Sequence, residues 1–497
     1  MPSLPRRLVQ ELGLTTVWFA GRNVHLLFLA KFLRMFAYGS STLILAVYIA
    51  ALGYSDEKIG LFMTLTLLGD VLVSLLLTVV ADGLGRRRIL LLSCLLMSAS
   101  GIAFASSSNY NVLLVAAILG VISPSGNEVG PFRAVEESTL SHLSDPGNRS
   151  DVFAWYVVLG SLGTSMGSLS AGWLVEGAQG SLGWTTVEAY RCVFWMYTAL
   201  GLAKAAAVLL LTSTCEPERT AAAAVNEARE SAEETQPLLS EQPVTSPVEV
   251  QTVDQLRPPS AATRRGIFAH ISAESRAVLI RLCMLFSVDS LASGMIPYSL
   301  IVYFLDGKFA VRKGELGSIM SVAWFVASMG NILASPISKR IGLVPTMVFT
   351  HLPSALFLAL IPFPSSLYLT IALLFARSSL ASMDQAPRSA FISMVVLPSE
   401  RTAVMGIVNT LKTTSQSAGP VITGFLAAND RFWVAFVAAA ACKVLYDLGM
   451  LAMFVGHKTR EEEEAEQVEA DDVDGSVPGI TVAISGGRDG SGRSGRE

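Results

Sequence analysis

Apolar runs of membrane-spanning length recur twelve times along the chain, parted by polar breaks. A helix needs about 20 mostly apolar residues to cross the hydrocarbon core of a bilayer, so each run predicts one span. In order they cover about Val24–Ala50, Ile59–Val80, Ile89–Ala105, Val112–Leu140, Val152–Val175 and Val187–Leu211. The second six cover Val278–Leu305, Leu316–Ile337, Val344–Phe363, Leu367–Val396, Ala403–Ala427 and Phe432–Val455. Between the sixth and seventh lies a polar stretch, Cys215 to Thr263, rich in Glu, Ala, Pro, Ser and Thr, which cannot bury enough apolar surface to fold. The pattern predicts an all-α polytopic membrane protein. A short N-terminal segment (1–23) precedes a six-helix bundle (24–213), and a disordered linker (214–272) leads to a second bundle (273–456) and a disordered tail (457–497).

The break after the second run reads ADGLGRRRIL, from Ala81 to Leu90. It combines an acid at Asp82, a flexible Gly85 and three cations, Arg86, Arg87 and Arg88. Positive charge resists translocation, so this turn is expected on the cytoplasmic face, and it sets the direction of every other span. Arg22, Arg149, Arg264, Arg265, Arg276, Lys339, Arg340, Arg401, Lys458 and Arg460 then fall inside, leaving chiefly Lys308, Arg312 and Lys313 outside. Both termini and the linker are expected in the cytoplasm, and the sequon Asn148-Arg-Ser150 is expected to stay unglycosylated there.

Composition narrows the class further. Of the 497 residues 52% are hydrophobic and 15% charged, against roughly 25% charged in soluble domains. Many of the acids behind the net charge of −4 sit in the linker and tail, so the charge offers no surface for nucleic acid. Cys94, Cys192, Cys215, Cys283 and Cys442 show neither metal nor disulfide spacing and read as buried, inert thiols. No small-residue cleavage site follows a short apolar core, so span one is expected to act as an uncleaved anchor. His25, His142, His270, His351 and His457 are scattered, and no nucleophile motif stands out. Neither an enzyme nor a cofactor is expected.

The two halves repeat. At an offset of 255, Val47-Tyr48 meets Val302-Tyr303, and at 257 Gly85 meets Gly342 in the turn SKRIG. The run NEVGPFRA of span four echoes MDQAPRSA of span ten, with an acid three residues before Pro131 and Pro387 and an Arg just after. Gly167 and Gly172 meet Gly419 and Gly424. Six-plus-six duplication about a long linker is a transporter architecture.

With these features the chain resembles the major facilitator superfamily of transporters from about Val24 to Val455. That family's loop between spans two and three reads G-x-x-x-D-R-x-G-R-R/K; here Asp82, Gly85, Arg86 and Arg87 match, while Thr78 and Gly83 depart from it. The resemblance implies two bundles that rock about a central cavity lined by spans one, four, seven and ten. It also implies that this turn forms a gate between the bundles, with Asp82 facing the start of span eleven near Arg401 and Thr402. A carboxylate there would meet the positive end of a helix dipole.

Ionisable groups inside spans are functional candidates, because burying them unpaired costs several kcal/mol. The duplication sets Arg34 of span one against Asp289 of span seven, and a bridge closing the cytoplasmic side is expected. The alternative is that Arg34 snorkels with Lys31 while Asp289 caps a break near Gly294 and Pro297. Glu128 and Asp384, equivalent in spans four and ten, are either proton carriers or partners of Arg133 and Arg388. Arg377, deep in span ten, suits an anionic substrate group or pairs with Asp384. Glu136 and Glu137, with Arg133 at four residues' spacing, read as structural. Asp70 of span two and Lys412 of span eleven are expected to pair between the bundles. The glycine-rich stretches Gly160–Gly172 and Gln416–Gly424 let helices approach closely.

In the linker, Glu234-Thr-Gln-Pro-Leu238-Leu239 resembles the acidic dileucine signal read by clathrin-adaptor-type machinery, which points to a vacuolar-type membrane; a chance match leaves the plasma membrane. Ile267–Ser275 reads as a short helix on the membrane surface. The function expected is secondary transport of a small organic solute, coupled to protons through Glu128 or Asp384. Facilitated diffusion and a transport-inactive sensor acting through linker and tail are the alternatives.

Overall fold

The computed structural model describes residues 14–120, 122–124, 131–145, 148–216, 273–395 and 401–454. Glu128, the linker with Glu234, Leu238 and Leu239, and the tail lie outside them, as does the side chain of Asp82. The chain is an all-α polytopic membrane protein of two six-helix bundles. Among the described residues, eight spans are long and apolar enough to cross a membrane on their own: Arg22–Ala51, Arg86–Ser106, Asp151–Leu182, Thr186–Leu209, Leu279–Phe309, Lys313–Ser338, Leu343–Leu360 and Phe432–Phe454. They are spans 1, 3, 5, 6, 7, 8, 9 and 12. Span 2 is Asp56–Leu84.

The other three spans are broken, which the unbroken apolar runs did not foretell. Span 4 is Tyr110–Gly120 and Pro131–Leu143, span 10 is Leu367–Ala381 and Gln385–Val395, and span 11 is Arg401–Ser417 and Gly419–Ala428. Span 7 also interrupts its helix, between Met295 and Tyr298. Proline explains the sites: it has no N–H for the carbonyl four residues back. Pro387 and Pro420 therefore leave the carbonyls of Met383 and Gln416 without their helical partners. Gly294 of span 7 fills the space beside the second of these. A Cβ there would stand 1.9 Å from the Gln416 oxygen.

Within the first half, span 1 packs on spans 5 and 6, and span 3 on span 6; in the second, span 7 packs on 11 and 12, and span 9 on 10 and 12. The halves meet through span 2 on span 11 and span 5 on span 8. Glycines make both crossings close: a Cβ on Gly60 would lie 2.9 Å from Gly424 Cα, and one on Gly172 would lie 2.8 Å from Gly317 Cα. The two crossings are copies of one another, since Gly60 corresponds to Gly317 and Gly172 to Gly424 under the duplication. Gly85 and Gly342, the paired turn glycines, share one conformation, with φ of +86° and +89° that disfavours any side chain.

The apolar core is forked. At the end where spans 2, 5, 8 and 11 cross, one cluster runs through both halves, from Tyr48, Phe62, Phe104 and Phe194 to Ile301, Phe304 and Phe436. Toward the other end, which carries Arg86, it divides. Leu27, Phe28, Cys94 and Tyr156 belong to a cluster of the first half, and Phe286, Met347, Phe391 and Tyr446 to a separate one of the second.

Candidate functional site

Between described residues, every hydrogen bond linking the halves lies from mid-depth to the Asp56 end. Ser165 Oγ donates to the Ser321 carbonyl at 2.9 Å, Trp173 Nε1 to Ser318 Oγ at 3.1 Å and the Val421 amide to Thr64 Oγ1 at 3.0 Å. Nearer the surface Tyr303 donates to Asp56, and Glu176 accepts from the Gly314 amide at 2.8 Å. The amide groups at the N-terminus of span 8 and the carboxylate of Glu176 form an anion cap of the ordinary helix-end kind.

Below that seam each half holds its own buried charge cluster. In the first, Glu136 of span 4 is fully buried. Its carboxylate meets Arg34 Nη2 of span 1 at 2.8 Å, Lys204 Nζ of span 6 at 2.9 Å and the Tyr156 hydroxyl of span 5 at 2.6 Å. Lys31 rests over the Tyr156 ring, 4.5 Å from its centre. Four spans are tied to one carboxylate.

In the second half, Asp289 of span 7 accepts from Arg388 Nη1 of span 10 at 2.9 Å and from Lys443 Nζ of span 12 at 2.8 Å. Arg388 also pairs with Asp384, one turn earlier. Lys443 reaches Ser293 Oγ at 2.9 Å and His351 Nε2 of span 9 at 3.4 Å. His351 Nδ1 then stands 2.9 and 3.1 Å from the two oxygens of Asp447. A neutral imidazole satisfies both contacts if Nδ1 carries the proton and donates to Asp447 while Nε2 accepts from Lys443. Protonated, it would turn Nε2–H toward Asp289, now 3.7 Å away, and repel Lys443. Arg388 is sandwiched by Phe286 and Tyr446, with ring centres at 5.2 and 5.0 Å.

These contacts correct three expectations. Arg34 and Asp289 do not bridge the bundles: Arg34 is held by Glu136 and Asp289 by Arg388 and Lys443, each inside its own half. Asp70 and Lys412 do not pair either, although spans 2 and 11 do pack together. Lys412 lies over the Phe286 ring at 5.9 Å, while both oxygens of Asp70 are buried, with the Ser123 hydroxyl beside them and no cation among the described residues. The third concerns Arg377. It does not pair with Asp384, which is occupied by Arg388. Arg133 meets Glu137 at 2.7 Å, as the four-residue spacing predicts.

At the turn between spans 2 and 3, the amides of Arg86 and Arg87 donate to the carboxylate of Glu216 at 2.8 and 3.0 Å. Gly85 leaves room for it, since a Cβ there would come within 3.0 Å of Glu216 Oε2. An acid just past span 6 thus occupies the helix start inside the turn that the sequence reading had assigned to gating between bundles.

At mid-depth between the halves lie three aromatic rings that sequence reasoning passed over. Tyr298, first residue of the second helix of span 7, stacks on Trp324 of span 8 with centroids 4.1 Å apart. Tyr38 of span 1 meets the same Trp324 edge-on at 6.2 Å. Arg377 of span 10 is buried with its guanidinium 6.0 Å from the Tyr298 ring centre, and its Nη1 has no hydrogen-bond partner among the described residues. Lys204, Lys443 and Asp447 were legible as charges in apolar runs; Tyr38, Tyr298 and Trp324 carry no such signal.

Comparison with known proteins places this geometry. The family profile described as Major Facilitator Superfamily matches residues 27–253 and 282–485. An uncharacterized membrane protein of Saccharomyces cerevisiae is 34% identical over 440 residues, covering 88% of this chain and 95% of its own. Among solved structures, a bacterial homolog of the human lysosomal transporter Spinster, in an inward-facing and occupied conformation, aligns with a TM-score of 0.63 at 14% identity. That alignment covers 86% of this chain and 95% of the other. The inward-open xylose transporter XylE of E. coli aligns at 0.61 with 15% identity, covering 89% and 98%.

Proposed function

The chain belongs to the major facilitator superfamily, and from that premise we propose that it is a proton-coupled secondary transporter of a small organic solute. The observation that carries alternating access is the forked core. One apolar cluster seals the halves at the Asp56 end, while two separate clusters face each other at the Arg86 end. A rocking pair of bundles needs one sealed and one parted end in each state. If the cations of Arg86 to Arg88 lie on the cytoplasmic side, the parted end faces inward in this reading.

Proton coupling rests on two buried groups. Asp70 has no counter-charge among the described residues, and a carboxyl so placed avoids the cost of a buried charge by holding a proton. The His351–Asp447 pair joins an imidazole, which can take up or release a proton at either nitrogen, to the ion network through Lys443. Asp384 is the weaker carrier, since Arg388 holds it as a carboxylate partner. The extents 24–213 and 273–456 for the bundles, with a cytoplasmic linker, tail and termini, belong to the same reading, as does delivery to a vacuolar-type membrane through Glu234, Leu238 and Leu239.

Uptake of labelled sugars, nucleosides and aryl carboxylates into proteoliposomes under an imposed pH gradient tests the proposal. Accumulation that a protonophore collapses, and that Asp70→Asn abolishes, supports coupling. Equilibration indifferent to the gradient makes the protein a uniporter, and no flux of any solute leaves only the sensor.

A further inference from the structure

The transporter reading leaves the solute open, and the mid-depth site deepens it while resting on that reading. We propose that Tyr38, Tyr298, Trp324 and Arg377 form the substrate site, and that the substrate is an organic anion with a flat, unsaturated or aromatic body. Arg377 supplies the first argument. Its side chain is 8% exposed and no carboxylate lies within ion-pair distance among the described residues. By contrast Arg34, Lys204, Arg388 and Lys443, equally deep, each meet an acid of the protein. A guanidinium stays charged in any protein environment, and a buried charge without a partner is costly. A carboxylate or similar oxyanion arriving with the substrate supplies the missing counter-charge and an acceptor for the buried Nη1, beside the Tyr298 side chain that the guanidinium already meets.

The rings supply the second argument. Tyr298 and Trp324 stack on one another with centroids 4.1 Å apart, leaving their outer faces and edges for a ligand, and Tyr38 closes on Trp324 from the other half at 6.2 Å. All three are half-buried rather than sealed in the core. Their shape suits a planar group, which rings hold by offset or edge-to-face contact. The third argument is position. Tyr38 belongs to span 1 and the other three to spans 7, 8 and 10, so one ligand would touch both bundles. A ligand that contacts both halves can favour one of their arrangements over the other directly, by binding it more tightly.

The test uses the full-length protein in detergent, with benzoate, indole-3-acetate and their uncharged amides as probes, alongside acetate. Trp fluorescence quenching and the rise in melting temperature report binding. The aryl carboxylates are expected to bind, with the amides and acetate weaker by about tenfold or more. Arg377→Gln is expected to erase the preference for the acid over the amide while leaving the unliganded melting temperature within a few degrees, and Trp324→Leu to weaken both. Should Arg377→Gln fail to fold, Arg377→Lys, which keeps the charge and loses the fork, is expected to bind the acids several-fold more weakly. Equal binding of acid and amide, or unchanged affinity in both Arg377 variants, overturns the proposal. Flux of a neutral solute without binding of any acid removes this site but leaves the transporter; acid binding without flux of any solute removes the transporter but leaves the site.

Discussion

The two halves descend from one duplicated pattern, yet they solve the burial of charge differently. The first half gathers Arg34, Lys204 and the Tyr156 hydroxyl on one carboxylate, Glu136. The cluster ties spans 1, 4, 5 and 6 together through one carboxylate. The second half strings Asp384, Arg388, Asp289, Lys443, His351 and Asp447 across spans 7, 9, 10 and 12. It includes an imidazole at a branch point, and protonating that imidazole would exchange its contact with Lys443 for one with Asp289. One half is riveted on a single carboxylate; the other is strung through an imidazole.

Breaking the rivet should have the largest effect. Glu136→Ala strands two buried cations and is expected to cost about 3–5 kcal/mol of stability, measured as loss of melting temperature and of monodisperse protein in detergent. If the variant melts like the wild type, the four-span tie is wrong. In the second half, Asp289→Asn strands only Lys443, because Arg388 keeps Asp384. Its expected cost is smaller, about 1–3 kcal/mol, and a loss as large as that of Glu136→Ala would erase the contrast between the clusters.

His351→Gln is expected to change stability by less than about 1 kcal/mol, because the amide can still donate to Asp447. Transport by this variant should instead fall, because an amide cannot exchange its contact with Lys443 for one with Asp289 by gaining a proton; transport equal to the wild type would count against a role for the imidazole. The smallest effect is reserved for the exposed pair Arg133–Glu137. Arg133→Ala should cost about 0.3–0.5 kcal/mol, and a large loss would mean that this arginine serves the gate and not merely its own helix.

The sorting signal is tested apart from all of these. Replacing Leu238 and Leu239 by Ala should move a tagged protein from internal membranes to the cell surface, and an unchanged distribution would retire it.

Much of this was legible because it is local. Length and apolarity reveal a span without reference to any neighbour. The pair of turn glycines, Gly85 and Gly342, could be matched by offset because their strained φ admits little else. Pairs one turn apart on a helix, Arg133 with Glu137 and Asp384 with Arg388, follow from helical spacing. The link from Asp289 to Lys443 spans 154 residues and followed from nothing local.

The twelve crossings and the duplicated motifs are thus properties of the amino-acid order alone, whereas proline marks the breaks of spans 10 and 11 yet lies inside unbroken helices at Pro336 and Pro353. Which charge meets which, which end is sealed and which rings face the gap were decided only when the helices packed. A helix turns about 100° per residue, so a small rotation or slide of one span moves a side chain from one neighbour to another. Arg34 and Asp289, equivalent by descent, were in this way drawn to Glu136 and Lys443 and not to each other.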